Sequence, residues 1–323
     1  MNSEAFTSED QFLAAISARF SNQHPHMQLG RGDDCAVLTC PESVALTTDL
    51  FVEDVHFRKR YFTPQDVGYK ALAVNISDIA GMGAAPLGFS LGLAGPPDTP
   101  AAYWEAVLDG MADLANSQDI PLVGGDLNAC DKIVLSVTIW GKPGPSKRFL
   151  QRGQAVAGDV LFVVGDLGLA SVGLDVLEEL GPEASRAWPE AVAAHLRPGV
   201  KVQEGLVLAG RGRVRGLMDV SDGLARDLPR FLGNSFGANL EIDPDTLHPE
   251  VLLRALQTGR DPSALAVAGG EDYALLGACA QAAFMEIFTC VAGVWAVGTV
   301  VETPGIITLN GKTLDATGFD HFS

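Results

Sequence analysis

Residues 63–84 read TPQDVGYKALAVNISDIAGMGA. Thr63 is a capping residue, Pro64 stands at the first helical position, and Asp66 sits where a capping box places its acid. A helix is therefore expected through Lys70, Leu72 and Asn75 to about Ala80, ended by Gly81 and Gly83. Asn75 and Asp78 lie one turn apart and share a face near its C-terminal end. Upstream, Phe12, Leu13, Ile16 and Phe20 recur at helical spacing behind a capping Ser8, and 35–39 and 44–48 read as strands. Downstream, strands are expected at 87–93 and 133–140 around a helix at 101–116. The stretch GKPGPSK at 141–147 is dense in Pro and Gly and reads as a linker. Beyond it the alternation restarts, with strands at 160–164 and 214–218 and helices at 170–180 and 224–232. The expected fold class is α/β (α+β), in two mixed α/β domains at 1–146 and 147–323.

A chain of 323 residues, 47% apolar and only 19% charged, has ample material for two cores. Its 36 glycines suit a compact enzyme with many tight turns rather than a disordered chain. A formal charge of −18 argues against nucleic-acid binding, which needs a basic face. The five cysteines (Cys35, Cys40, Cys130, Cys279, Cys290) show neither Cys-x-x-Cys nor zinc spacing and read as reduced thiols. No basic region followed by an apolar run opens the chain, and the most apolar stretch, 287–301, is too short and too glycine-broken to span a membrane. It reads as a buried turn and strand. A cytoplasmic location with no membrane partner is expected.

Aspartates in Gly-, Ser- and Thr-rich motifs run the length of the chain. They are Asp33 and Asp34 in GDDC, Asp49 in TTD, Asp78 in NISD, Asp126 in GGD, and Asp219 and Asp222 in DVSDG. Glu271 and Asp272 follow Gly269 and Gly270. Carboxylates among small residues suit Mg²⁺, which takes one or two carboxylates, keeps waters and is shared with phosphates. Two adjacent carboxylates a few Å apart repel by ~4 kcal/mol at an effective dielectric near 20, so the Asp33–Asp34 pair invites a cation. Each motif alone has a plainer reading. Ser221 or Asp222 serves equally as a helix cap, and Gly124-Gly125-Asp126 as a loop turn. Lone His56 suits a structural hydrogen bond, and Arg152 either a surface position or a phosphate fork. Gly165-Asp166-Leu167-Gly168 reads as a strand-to-helix turn rather than a dinucleotide loop. P-loop, protein-kinase and zinc-protease signatures are absent.

Taken in order, GDDCA, TTD, VHF, the run from Gly68 to Ala84, GGD, DVSDGL and GGEDY resemble the thiamine-monophosphate kinase family. The likeness runs from about Gly30 to the terminal GFDHF at 318–322, within a superfamily of ATP-using synthetases. It implies transfer of the ATP γ-phosphoryl onto thiamine phosphate. It also implies a homodimer whose N-terminal sheets pair, and a sandwich-like C-terminal domain that completes the nucleotide and substrate site. Matched by position, Asp34, Thr47, Thr48, Asp49, Asp78, Asp126, Asp219 and Asp222 would hold several Mg²⁺ ions. Gly125, Asp126, Arg152 and Ser221 would contact ATP, and His56, Glu271 and Phe319 the thiamine phosphate. The chain departs from the family at Ala316, where a Trp is usual, so either Phe319 or another aromatic substitutes or the pocket is looser. It also lacks the usual second proline and arginine at 197–201. A sibling synthetase, or a non-catalytic ATP and divalent-cation sensor, would share the metal motifs. Transfer between two phosphates needs positioning and charge neutralisation but no general base, which suits a site rich in Asp.

Overall fold

The computed structural model describes residues 5, 6 and 8–314, so Ala316 and Phe319 lie outside the described residues. The chain packs as two units, one holding the chain up to Ile79 with Ala85–Lys142, the other Ala80–Ala84 with the chain from Pro143 onward.

Elements of the first unit are α1 (Glu9–Arg19), β1 (Met27–Leu29), β2 (Val37–Leu38), β3 (Ala45–Val52) and α2 (Pro64–Gly81). They continue with β4 (Ala84–Gly95), α3 (Ala101–Ser117), β5 (Leu122–Ala129) and β6 (Val134–Pro143). Ser8 caps α1 by accepting from Gln11 N at 3.4 Å. The capping box at α2 forms as the sequence predicts: Thr63 Oγ1 accepts from Asp66 N at 3.2 Å, and Thr63 N donates to Asp66 Oδ2 at 3.1 Å. Leu72, Ile76 and Ile79 of α2 are buried with Phe89, Leu108, Met111 and Leu122 from the sheet and α3. Helices α2 and α3 approach closely because Gly68 carries no side chain; a Cβ there would lie 1.8 Å from Val107 O. The sheet runs β3-β6-β4-β5. β3 is antiparallel to β6, whereas β4 and β5 are parallel and joined through α3. Along β3 the side chains alternate. Thr47, Asp49 and Phe51 are the more buried set, while Leu46 and Leu50 on the opposite face are 66% and 56% exposed.

The second unit contains β7 (Val160–Val164), α4 (Leu169–Leu180), α5 (Pro189–Leu196), α6 (Val202–Ala209), β8 (Val214–Val220) and α7 (Leu224–Leu232). After these come β9 (Gly237–Leu240), α8 (Pro249–Thr258), α9 (Pro262–Ala268), β10 (Ala274–Cys279), α10 (Phe284–Cys290), β11 (Val294–Val301), β12 (Ile307–Leu309) and β13 (Lys312–Thr313). Seven strands form one sheet in the order β13-β12-β9-β11-β7-β10-β8. β10, next to edge strand β8, is antiparallel to both neighbours, pairing Leu275 with Val164 of β7 and with Asp219 of β8. The exits of β7 and β8 and the entry to β10 therefore meet at one end of the sheet. β7 and β10 are buried at every position, which explains their continuous apolar runs.

Three expectations are corrected. Gly124-Gly125-Asp126 is not a loop but the middle of β5, whose glycines and acid carry little strand propensity and hide it. The linker stretch begins later than composition indicates, because Gly141 pairs with Ala45 and β6 runs to Pro143. The apolar stretch at 287–301 holds the end of helix α10 before its turn and strand, the helix being too short to show a period. Among the described residues no helix is long and apolar enough to cross a membrane.

Candidate active site

In the first unit the period of β3 and the register of α2 bring two acids together. Thr47 Oγ1 donates to Asp78 Oδ2 at 2.6 Å. Asp49, two residues on and therefore on the same face, has its carboxyl pushed up to about 6 by burial and then by the negative charge of Asp78. Thr48 points the other way and hydrogen-bonds Thr138 Oγ1 at 2.8 Å, so its hydroxyl does not join Asp78. Asp34 lies on an exposed bend, its N–H donating to Asp33 Oδ1 at 2.8 Å. Asp126 is exposed on β5. Neither joins the Asp49–Asp78 pair: among the described residues no three His, Cys, Asp or Glu side chains gather tightly enough to enclose an ion.

Gly125 has a packing role. A Cβ there would lie 1.9 Å from Leu91 O on the paired strand β4. His56 closes the turn after β3: its Nδ1 accepts from Val52 N at 3.0 Å and its ring stacks on Phe51 at 5.7 Å. The plain reading of His56 as a structural hydrogen-bonding group is present in the fold, whereas Gly125 packs inside a strand rather than in a turn.

In the second unit three loops meet at the sheet end. Asp219 is the penultimate residue of β8 and is buried. Ser221 and Asp222 follow it, and the backbone amides of both donate to Asp227 Oδ2, at 3.0 and 2.9 Å. The sequence offers Ser221 or Asp222 as the helix cap. Instead Asp227 on the first turn of α7 satisfies both. Asp227 is fully buried; burial raises its carboxyl above the ordinary value, while the two amides and Arg230 act the other way. Arg230 Nη1 bridges Asp222 Oδ2 at 2.6 Å and Asp227 Oδ1 at 3.0 Å, and Arg226 Nε stands 3.8 Å from the same Asp222 oxygen. The sequence reading missed Asp227 and Arg230, although their i,i+3 spacing on one helix was visible.

Glu271 enters from the third loop. Its N–H donates to Ser221 O at 2.7 Å, and Tyr273 N–H to Val220 O at 2.9 Å, so the GGEDY loop lies against the DVSDG loop. Glu271 and Tyr273 both adopt left-handed backbone, φ 65° and 47°, a conformation non-glycine residues hold only when surroundings impose it. Glu271 Oε2 lies 3.1 Å from His195 Nδ1 on α5. Asp272 turns inward, accepting from Gly168 N at 2.6 Å and Ala170 N at 3.1 Å at the start of α4. Burial pushes its carboxyl up to about 8, against the pull of those amides, with the charges of Asp166 and Glu271 adding to the rise. Arg152 is exposed on a turn tied to α7 by Gly153 N donating to Phe231 O at 2.8 Å.

The described oxygens suit a hard divalent cation in kind: Asp49 and Asp78 supply two carboxylates in mutual repulsion with a hydroxyl beside them. Asp219 is a further buried carboxylate in the second unit, and Asp222 is engaged by Arg230.

Residues 32–142 match the AIR synthase related protein, N-terminal domain, and 156–309 the AIR synthase related protein, C-terminal domain. A thiamine-monophosphate kinase of Mycobacterium tuberculosis is 35% identical over 288 residues, 88% of this chain and 82% of the relative. The Escherichia coli K12 thiamine-monophosphate kinase is 32% identical over 98% of both chains. The solved structure of AaThiL complexed with AMPPCP and TMP matches with a TM-score of 0.77 and 29% identity, covering 97% of each chain. The chain belongs to the thiamine-monophosphate kinase family.

Proposed function

We propose that the protein transfers the γ-phosphoryl group of ATP in line onto the phosphate of thiamine phosphate, releasing thiamine diphosphate and ADP. The Asp49–Asp78 carboxylate pair carries this reading, in a chain similar over nearly its full length to a protein complexed with AMPPCP and TMP. Asp49, Asp78 and Thr47 in the first unit and Asp219 in the second are the residues that would hold Mg²⁺, with Asp34, Asp126, Asp222 and the Thr48 backbone as further candidates. Bound magnesium would neutralise the charge spread over the transferring phosphoryl group.

The chain's own residues do the rest. Asp227 holds the Ser221–Asp222 loop in shape, and Arg230 and Arg226 stand against Asp222 beside it. The carboxylate of Glu271 offers a negative partner to the thiazolium ring, whose positive charge is permanent and needs no proton. His56 and Arg152 are the proposed contacts to thiamine phosphate and ATP. No general base is required, because the acceptor oxygen is already ionised.

The reading extends to a homodimer formed through the uncovered face of the first unit's sheet, where Leu46 and Leu50 of edge strand β3 and Val44 just before it expose apolar side chains. Free thiols at all five cysteines support a reducing, cytoplasmic setting. Incubation with ATP, Mg²⁺ and thiamine phosphate should yield thiamine diphosphate in stoichiometry with ADP, chelation should stop it, and free thiamine should be a poor acceptor. ADP without thiamine diphosphate would refute the assignment.

A further inference from the structure

The GRGDD segment that carries Asp33 and Asp34 is anchored at Arg31, two residues before the first acid. The backbone of Arg31 is gripped on both sides: its N–H donates to Asn22 Oδ1 at 2.6 Å, and its carbonyl accepts from Asn22 Nδ2 at 2.8 Å. Gly30 makes room for this grip, since a Cβ there would lie 2.2 Å from Asn22 Oδ1. The guanidinium is held as well, donating to Phe20 O at 2.6 Å, to Ser21 O at 3.4 Å and to Leu122 O. Phe20 and Ser21 lie just past α1, and Leu122 opens β5, the strand that carries Asp126. One planar fork therefore ties the loop to two elements at once. Burial holds the guanidinium pKa below its ordinary value, and hydrogen bonds to the carbonyls offset that cost. After the anchor a single glycine turns the chain: Gly32 has φ 113°, and Asp33 and Asp34 follow on the exposed bend.

We propose that Asn22 and Arg31 are positioning residues for the Asp34 carboxylate: their clamp fixes the bend from which Asp34 would reach a divalent cation. The inference rests on the reading of Asp34 as a candidate for holding Mg²⁺. Both residues act through the backbone of the loop rather than on the ion. An exposed acid on a loose loop must be ordered when its ligand arrives, and that entropy is subtracted from the affinity. Here the ordering is completed on folding, because the base of the bend is held by five hydrogen bonds to Asn22, Phe20, Ser21 and Leu122.

The test sets Asn22→Leu, which keeps the branched shape and removes both hydrogen bonds, beside Arg31→Lys, which keeps the charge and loses the fork. Asp34→Asn and the Asn22→Leu/Asp34→Asn double variant complete the set. Two quantities are read: the Mg²⁺ concentration giving half-maximal turnover at saturating substrates, and the Mn²⁺ affinity of the protein with a non-hydrolysable ATP analogue, from loss of the free-ion spin-resonance signal beyond that caused by the analogue alone. Asn22→Leu should raise the Mg²⁺ requirement and the Mn²⁺ dissociation constant roughly fivefold, and Arg31→Lys should move both in the same direction. The Michaelis constant for thiamine phosphate at saturating Mg²⁺ should change less than about twofold. The double variant should bind Mn²⁺ no more weakly than Asp34→Asn alone, because both changes remove one interaction. Metal constants at wild-type values in Asn22→Leu, when Asp34→Asn raises them, overturn the proposal. So does a rise in every constant together in step with a lower melting temperature, which marks a clamp that only holds the fold, and so does a double variant weaker than Asp34→Asn. If Asp34→Asn itself leaves both metal readouts unaltered, the reading of Asp34 as a metal contact falls, and with it the positioning role. Should Asn22→Leu fail to fold, Arg31→Lys decides: a rise confined to the metal constants supports the role, and wild-type metal constants refute it.

Discussion

Asp49→Asn should make the ligand-free protein more stable while disabling it. The substitution keeps the shape of the side chain and leaves the Thr47–Asp78 hydrogen bond in place, since Asp49 has no part in it. An acid whose carboxyl titrates higher when folded binds its proton more tightly in the folded state. Its contribution therefore favours folding below the unfolded value of 3.8 and is lost as pH climbs through about 6. A rise of that size corresponds to a ceiling of about 3 kcal/mol at neutral pH and above. Asp49 is only partly buried, and solvent screening reduces this to ~1–2 kcal/mol. Thermal unfolding should accordingly place Asp49→Asn roughly 2–6 °C above wild type at pH 8. The gap should close between pH 6 and about pH 4, where the wild-type carboxyl becomes neutral in both states. Adding Mg-ATP should reverse the order: at ~100 times its dissociation constant a ligand adds about 2.7 kcal/mol, which wild type gains and the variant largely forfeits. Equal stability at pH 8, or a gap that does not change with pH, would refute the argument that burial and the charge of Asp78 hold the Asp49 carboxyl up.

Two further outcomes are expected. Gly125→Ala should cost at least ~2–3 kcal/mol in urea unfolding, because its Cβ would lie 1.9 Å from Leu91 O and force β4 and β5 apart; a midpoint within experimental error of wild type would remove the packing role. Leu50→Glu, on the exposed face of β3, should leave the melting of the isolated unit intact and shift sedimentation from dimer to monomer; an unchanged sedimentation coefficient would count against pairing through that sheet.

Local patterns determined much of this protein in advance. The TPQD box fixes where α2 begins, because a cap satisfies amides within four residues of itself, and the apolar run at 160–164 becomes a buried strand. The aspartate motifs in their order carry the family. Period two along TTD separates Thr47 and Asp49 from Thr48, a distinction legible once the strand is recognised. Tertiary structure alone decided the partners. Asp227 and Arg230 were spaced visibly on one helix, yet only the turn of the DVSDG loop back onto α7 makes one the acceptor of its amides and the other the counter-ion of Asp222. His195 and Glu271 are separated by 75 other residues and meet only because antiparallel β10 returns its entry loop beside β8 while Gly173 admits α5 to α4. Hydrogen bonds between distant segments depend on strand order and helix approach, and no local propensity encodes either.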